Sequence, residues 1–313
     1  MALPARHLLA QGRVIAALGR TAVSALSQRL LDGAGDAVGP LPGPELRATV
    51  RPPSAALVRD YVRNVGGDPA AYRAFLPPHL FPQWAFPLAS RTLQGLPYPI
   101  LKIVNGGCRL AINGRLPIGE PLQVRAQLVA IEEHGRRAIL RQRIVTGTAS
   151  EPDLLVAEID AFVPVPNGAP ATNGSNGHGA RGSSRKEAVV VPCDARELWY
   201  GRLSGNAGLS FAMLTGDVNP LHWLRPYARA MGFRTTILHG FATMARAMEG
   251  LTRALFAGDV RRLAAIEVRF SRPLALPARV GLYLGEGNTI TVGDAPCGPA
   301  YLTGTFTERK SIS

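Results

Sequence analysis

A carboxylate at Asp217 and an imidazole at His222 stand five residues apart in the stretch FAMLTGDVNPLHWLRPYARAMGFRTTILH, residues 211–239. On one continuous helix these two side chains would diverge by roughly 140°. The residues between and before them argue for a turn instead. Gly216 lets the chain bend sharply just before the acid. Asn219-Pro220 reads as a helix start, with Asn219 as N-cap and Pro220 at the first helical position. Asp217 is then expected in a loop and His222 in the first helical turn, both facing one small volume. An acid and an imidazole converging in this way can move protons to and from a single water.

The run F-x-x-L-T-G-D-x-N-P-L-H, followed by Ala228, Gly232-Phe233 and Ile237-Leu238-His239-Gly240, resembles the hydratase-2 signature of MaoC-like (R)-specific enoyl-CoA hydratases and dehydratases. The resemblance implies a hot-dog fold, in which an antiparallel sheet wraps around one long helix, with two hot dogs in the longer members. It implies that Asp217 and His222 bind and activate water and that the backbone N–H of Gly240 polarises a thioester carbonyl. Asn219 and His239 are then expected beside the substrate. Arg269 and Arg272 fall on a strand where family members contact coenzyme A. A helix N-terminus at Gly240 would suit its role, because the first N–H groups of a helix are unpaired and sit at its positive end.

The elements needed to position these groups are legible around the motif. Residues 239–256 read as a helix rich in Ala, Met and Leu, and strand-like runs follow at 263–270, 278–285, 288–293 and 300–307. The first half has the same order: 79–94 stands in the helix position, followed by strand-like runs at 107–113, 121–133, 137–148 and 154–163. The expected architecture is α+β: two tandem hot dogs forming a pseudo-dimer, preceded by an N-terminal amphipathic helix. The expected divisions are 1–44 for that helix and a linker, 45–163 for a degenerate hot dog, 164–187 for a Gly/Asn/Ser-rich linker, and 188–313 for the catalytic hot dog. NVGGDPAAYR, residues 64–73, occupies the motif's place in the first half. It keeps Gly67-Asp68, but Arg73 stands five residues after the acid, and a guanidinium does not exchange protons near neutral pH. Asp68 reads as a turn residue and the first half as catalytically silent. In two-hot-dog relatives such a half makes room for the acyl chain, which suggests a medium or long acyl substrate.

Residues 1–31 contain no acid. Arg6, Arg13 and Arg20 share one helical stripe, while Leu8, Ile15, Leu18, Ala22 and Leu26 share the other. Membrane-surface contact, targeting, partner docking and packing on the protein's own body all remain open for this helix. The net charge of +13 suits a polyanionic ligand such as coenzyme A or an acidic carrier protein. No nucleic-acid-binding motif accompanies the arginines, so nucleic acid is set aside. Cys108, Cys193 and Cys297 show no metal-ligand spacing and read as inert core thiols in a reducing, cytoplasmic setting. No metal and no cofactor are expected. A homodimer is left open.

The leading functional reading is a hydro-lyase of fatty-acid metabolism interconverting trans-2-enoyl and (R)-3-hydroxyacyl thioesters, carried by coenzyme A or a carrier protein. A hot-dog thioesterase and a non-catalytic acyl-thioester-binding protein are the alternatives. Glu249, on the long helix where hot-dog thioesterases place an acid, reads as an exposed helix-face residue.

Overall fold

The computed structural model describes residues 3–8, 11–12, 15–16, 39–165 and 188–309. Strand β1 (Leu46–Val50) leads into helix α1 (Ala55–Val65). Ser54 caps α1 by accepting from Leu57 N–H, and Gly66 at φ +89° ends it in the left-handed region that glycine tolerates. Helix α2 (Pro82–Ala89) is only eight residues long, contains Pro87, and gives way to a 3-10 turn over Ser90–Leu93. Strands β2 (Val104–Ile112), β3 (Leu122–His134), β4 (Arg137–Gly147) and β5 (Leu155–Pro164) complete the first half. The second half repeats the plan. It runs through β6 (Arg196–Leu203), α3 (Ala207–Thr215), α4 (Arg225–Ala230) and the sixteen-residue α5 (Gly240–Leu255). It closes with β7 (Leu263–Phe270), β8 (Ala278–Leu284), β9 (Thr289–Gly293) and β10 (Ala300–Glu308).

The described strands form one ten-stranded sheet in the order β1-β3-β4-β5-β2-β7-β10-β9-β8-β6. Each half therefore has the same internal order, and the halves join antiparallel through β2 and β7, with Leu110 opposite Ile266. Strands β3 and β5 alternate buried and half-buried positions, as a sheet with one face on a core requires. Helices α2 and α5 lie on that face within one shared core. Phe241 of α5 meets Phe81 and Phe86 of the first half edge-on, with ring centroids 5.5 and 5.3 Å apart. Such aromatic pairs join the halves through packing as well as through the β2–β7 ladder.

A polar stripe on α5 strengthens that joint. Arg246 donates to Asn64 O at 2.6 Å and Arg253 to Gly66 O at 3.4 Å. Both reach the C-terminal end of α1, where unpaired carbonyls and the negative dipole end favour cations. Burial pushes the Arg246 guanidinium down to about 10.

Three sequence expectations need correction or restriction here. The N-terminal amphipathic helix falls mostly outside the described residues; Ala5–His7 is a 3-10 turn. Leu8, expected on the apolar face, is exposed, whereas His7 and Gln11 are buried. Cys193 and Cys297 are joined in a disulfide and only Cys108 is a free, buried thiol, which removes the cysteine argument for a reducing compartment. From residue 166 onward the expected linker also lies outside the described residues. No described helix is long and apolar enough to cross a membrane.

Candidate active site

Helix α3 ends at Gly216, whose φ of +80° reverses the chain into Asp217. Asn219 Oδ1 then accepts from Leu221 N–H at 3.1 Å, and Pro220 occupies the first turn position. The helix start expected here is a single 3-10 turn, Pro220–His222. Trp223 closes it by donating its indole N–H to Val218 O at 3.0 Å, and the chain re-enters a helix only at α4. Gly208 on α3 makes room for the turn, since a Cβ there would lie 2.0 Å from His222 O.

His222 is held by a backbone carbonyl: its Nδ1–H donates to Ile237 O at 2.9 Å. That bond selects the tautomer and leaves Nε2 as the free ring nitrogen. The His222 ring stacks on His239, centroids 3.5 Å apart at 25°. His239 is 2% exposed, and its Nε2–H donates to the Asp217 carbonyl at 3.1 Å. It also lies 3.8 Å from Asp217 Oδ2. His239 thus supports both residues at once, the ring of one and the backbone of the other. Its Nδ1 is buried without a hydrogen-bond partner.

The structure therefore brings Asp217, His222 and His239 together, with one nitrogen or oxygen of each within 4.8 Å of the others. Two hydrogen bonds of normal length to one water span roughly 4.6 Å, so a single water fits between acid and imidazole. The same three residues are spaced as cation ligands could be. With His239 Nε2–H donating to a carbonyl, the nitrogen that His239 could still offer is its buried Nδ1, on the other side of the ring.

Burial raises the Asp217 carboxyl pKa, partly opposed by His222, and lowers that of His222, partly opposed by Asp217 and the Ile237 carbonyl. Both effects pull the two groups toward the same pH range, which eases proton exchange between them. Burial first, and the neighbouring His222 second, push His239 well below the ordinary histidine range. It is neutral at physiological pH.

Gly240 opens α5, and its preceding residue supplies no side-chain cap. Among the described residues no group accepts from Gly240 N–H. A Cβ at 240 would press on the Phe270 ring at 2.9 Å, so α5 can start this close to the end of β7 only because this residue is glycine. Asp217, His222, His239 and Gly240 all line one cavity of about 590 Å³.

Of the remaining expected residues, Asn219 is in the cavity wall, with its side-chain oxygen committed to the turn. Arg272 lines the cavity from an exposed position at its rim. Arg269 is exposed on β7 opposite Gly107 and is not part of the wall. The far wall comes from the first half: Phe86, Ala89, Ile103, Gln142, Ile159 and Ala161. Motif reading did not find these, because they are ordinary core residues one by one. The signal available was Pro82 and Pro87 inside the first half's helix segment, which shorten it and leave space.

Glu249 corrects the exposed-face expectation. It is 4% exposed and lies away from the cavity. Its Oε1 accepts from Tyr72 O–H at 2.8 Å and faces His79 Nε2 at 2.9 Å.

Comparison with known proteins agrees with this architecture. The Mycobacterium tuberculosis protein HtdX superposes with a TM-score of 0.64 at 20% identity, covering 85% of this chain and 100% of that one. A second M. tuberculosis structure, described as a double hot-dog fold, superposes at 0.55 with 15% identity over 88% and 98% of the two chains. The chain has the double hot-dog fold. Within it, residues 204–298 match the family described as "MaoC like domain". The 3-hydroxyacyl-thioester dehydratase X of M. tuberculosis is 37% identical over 98 residues, 30% of this chain and 33% of that protein. The probable enoyl-CoA hydratase 2 of Dictyostelium discoideum is 22% identical over 196 residues, 62% of this chain and 64% of that protein. Both matches span less than two thirds of the relative's own length.

Proposed function

We propose that this protein is a hydro-lyase that reversibly hydrates trans-2-enoyl thioesters to (R)-3-hydroxyacyl thioesters. The observation carrying this reading is the convergence of Asp217, His222 and the unpaired Gly240 N–H on one cavity. A water held between acid and imidazole adds its oxygen to C3 of the enoyl group. One of its protons passes through the pair to C2, and the other stays on the new hydroxyl. Charge that builds on the thioester oxygen during addition is met by the Gly240 N–H and the positive end of α5. A single donor of this kind is worth roughly 2.7–4 kcal/mol of barrier in other enzymes. The names of the relatives, a hydroxyacyl-thioester dehydratase and an enoyl-CoA hydratase, are consistent with either direction.

The apolar far wall favours a medium or longer acyl chain over a short one, and Arg272 at the rim suits the phosphates of a coenzyme A or carrier-protein arm. A thioesterase reading would use a carboxylate on the central helix, and Glu249 does not reach the cavity.

The test incubates the purified protein with crotonyl-CoA and with trans-2-decenoyl-CoA, following the conjugated-thioester absorbance and free thiol together. Loss of conjugation without thiol release is the expected result. Thiol release would replace the proposal with thioester hydrolysis, and binding without either change would leave a non-catalytic acyl-thioester carrier.

A further inference from the structure

One wall residue of the cavity comes from neither half of the sheet: Ile15, from the N-terminal segment. The chain on its N-terminal side is fastened at two points. Asp60 on α1 accepts from Arg6 Nε at 3.1 Å and faces His7 Nε2 at 2.7 Å, and His7 is buried. Gln11 is fully buried, and both ends of its amide are satisfied. Its Nε2–H donates to Leu214 O at 2.9 Å, and its Oε1 accepts from Gln83 Nε2–H at 3.3 Å.

Those two partners lie in different halves. Leu214 is on α3, two residues before Gly216, and Gln83 is on α2, whose Phe86 and Ala89 line the cavity. A buried amide costs free energy unless it is fully hydrogen-bonded. Gln11 finds a partner for each end of its amide by bridging the helix that leads into the catalytic loop and the helix that bounds the acyl wall. His7 and Gln11 are buried and Ile15 lines the cavity, so all three positions turn toward the body of the protein. The first two fix how the third meets the cavity.

We propose that the segment carrying His7, Gln11 and Ile15 is a strap across the acyl side of the cavity, and that Ile15 selects thioesters whose apolar chain is long enough to touch it. This gives the N-terminal segment a role in substrate choice rather than at a membrane surface. It deepens the hydration reading by naming a determinant of acyl length, but its test does not depend on turnover.

The experiment measures equilibrium binding of two unreactive saturated thioesters, butyryl-CoA and decanoyl-CoA, to the full chain and to Ile15→Ala and Gln11→Ala. Ile15 is half-buried, so removing its three outer carbons forfeits only part of the full contact and is expected to weaken decanoyl-CoA about tenfold to fifty-fold. Butyryl-CoA, too short to reach the strap, should change less than about twofold. Gln11→Ala should shift the same ratio in the same direction, because it loosens the strap without altering the wall. Circular dichroism of both variants separates loss of fold from loss of contact. A decanoyl-to-butyryl ratio that stays flat in a folded Ile15→Ala overturns the proposal. So does binding to vesicles of anionic lipid that Ile15→Ala weakens while the ratio stays flat. If wild type binds decanoyl-CoA with an Ile15-dependent ratio yet hydrates nothing, the strap stands and the hydration reading falls.

Discussion

The two halves carry the same strand order and the same turn device, yet among the described residues only the second half's turn brings an acid and an imidazole into the large cavity. In the second half the chain leaves α3 at Gly216, passes through Asp217 and Val218, and enters a turn capped by Asn219 and begun by Pro220. In the first it leaves α1 at Gly66, passes through Gly67 alone, and enters a turn capped by Asp68 and begun by Pro69. Asp68 accepts from Ala70 N–H at 2.9 Å as Asn219 does from Leu221. Asp68 is thus the structural counterpart of Asn219 and not of Asp217, and the acid's place falls to Gly67. A carboxylate nonetheless stands there. A Cβ built on Gly67 would lie 2.3 Å from the Glu249 carboxyl carbon. Glu249 reaches over from α5 to face His79, which precedes Leu80-Phe81 as His239 precedes Gly240-Phe241. Ten residues after each of these histidines stand Ala89 and Glu249. Ala89 leaves the cavity open on the active side; Glu249 fills the matching space on the silent side. The matching positions differ by one long side chain in place of a short one, Glu249 beside His79 and Ala89 beside the cavity.

The comparison breaks most readily at the two acids. Asp217→Asn is expected to lower kcat on trans-2-decenoyl-CoA by about 10²–10⁴, the usual weight of a general acid–base group. Asp68→Asn should change it less than about twofold, because Asp68 only caps a turn. Equal losses in steady-state kinetics would mean that the first half takes part in chemistry. Glu249 gives the next effect. Glu249→Ala leaves Tyr72 and His79 buried without their acceptor and should cost about 1–3 kcal/mol of stability for each donor left unsatisfied, read by urea unfolding. Glu249→Gln keeps an acceptor oxygen toward Tyr72 and should cost much less. If instead Glu249→Ala folds with wild-type stability, the carboxylate is not what fills the silent site.

How much of this was readable beforehand follows from the range of each interaction. The strands at 263–270 and 300–307 and the helix at 239–256 are periodic and local, and they recur within a residue or two. Asn219-Pro220 and Gly216 announced their backbone roles because capping and left-handed φ are nearest-neighbour physics. Helix α1 and strand β6 went unread, although Leu57, Val58, Tyr61, Val62 and Val65 keep a regular helical stripe in α1; β6 alternates irregularly at a sheet edge. Asp68 was matched to the wrong partner because one deleted residue shifts the register, which only the two caps reveal. Glu249 looked solvent-facing because nothing in its own helix shows that the other half covers it. Partners such as Tyr72, 177 residues away, leave no local signature.

The smallest effect separates the two supporting histidines. His79 lies 2.9 Å from a carboxylate, whereas His239 is stacked on a second imidazole, donates to a backbone carbonyl and keeps its Nδ1 bare. Burial and that neighbour hold His239 well below the ordinary value of 6.5 in the folded protein. Between 6.5 and the lower folded value, the unfolded chain binds a proton here that the folded chain does not. Stability must therefore fall as pH drops below 6.5, by up to about 1.4 kcal/mol per pH unit until the folded group itself titrates. Asp217 acts with the opposite sign: its raised carboxyl favours the folded state as pH falls toward the ordinary value of 3.8. His222, also lowered by burial, acts with the same sign as His239, so absolute acid lability is a balance of several groups and the variant has to isolate one of them. His239→Gln can still donate an amide N–H toward the Asp217 carbonyl but takes up no proton. Unfolding midpoints of wild type and His239→Gln should run parallel above pH 7 and converge or cross between 6.5 and 5, with wild type falling faster. Parallel curves throughout would place the His239 proton on in both states, and the stacked pair could not then be the neutral support that distinguishes the active half.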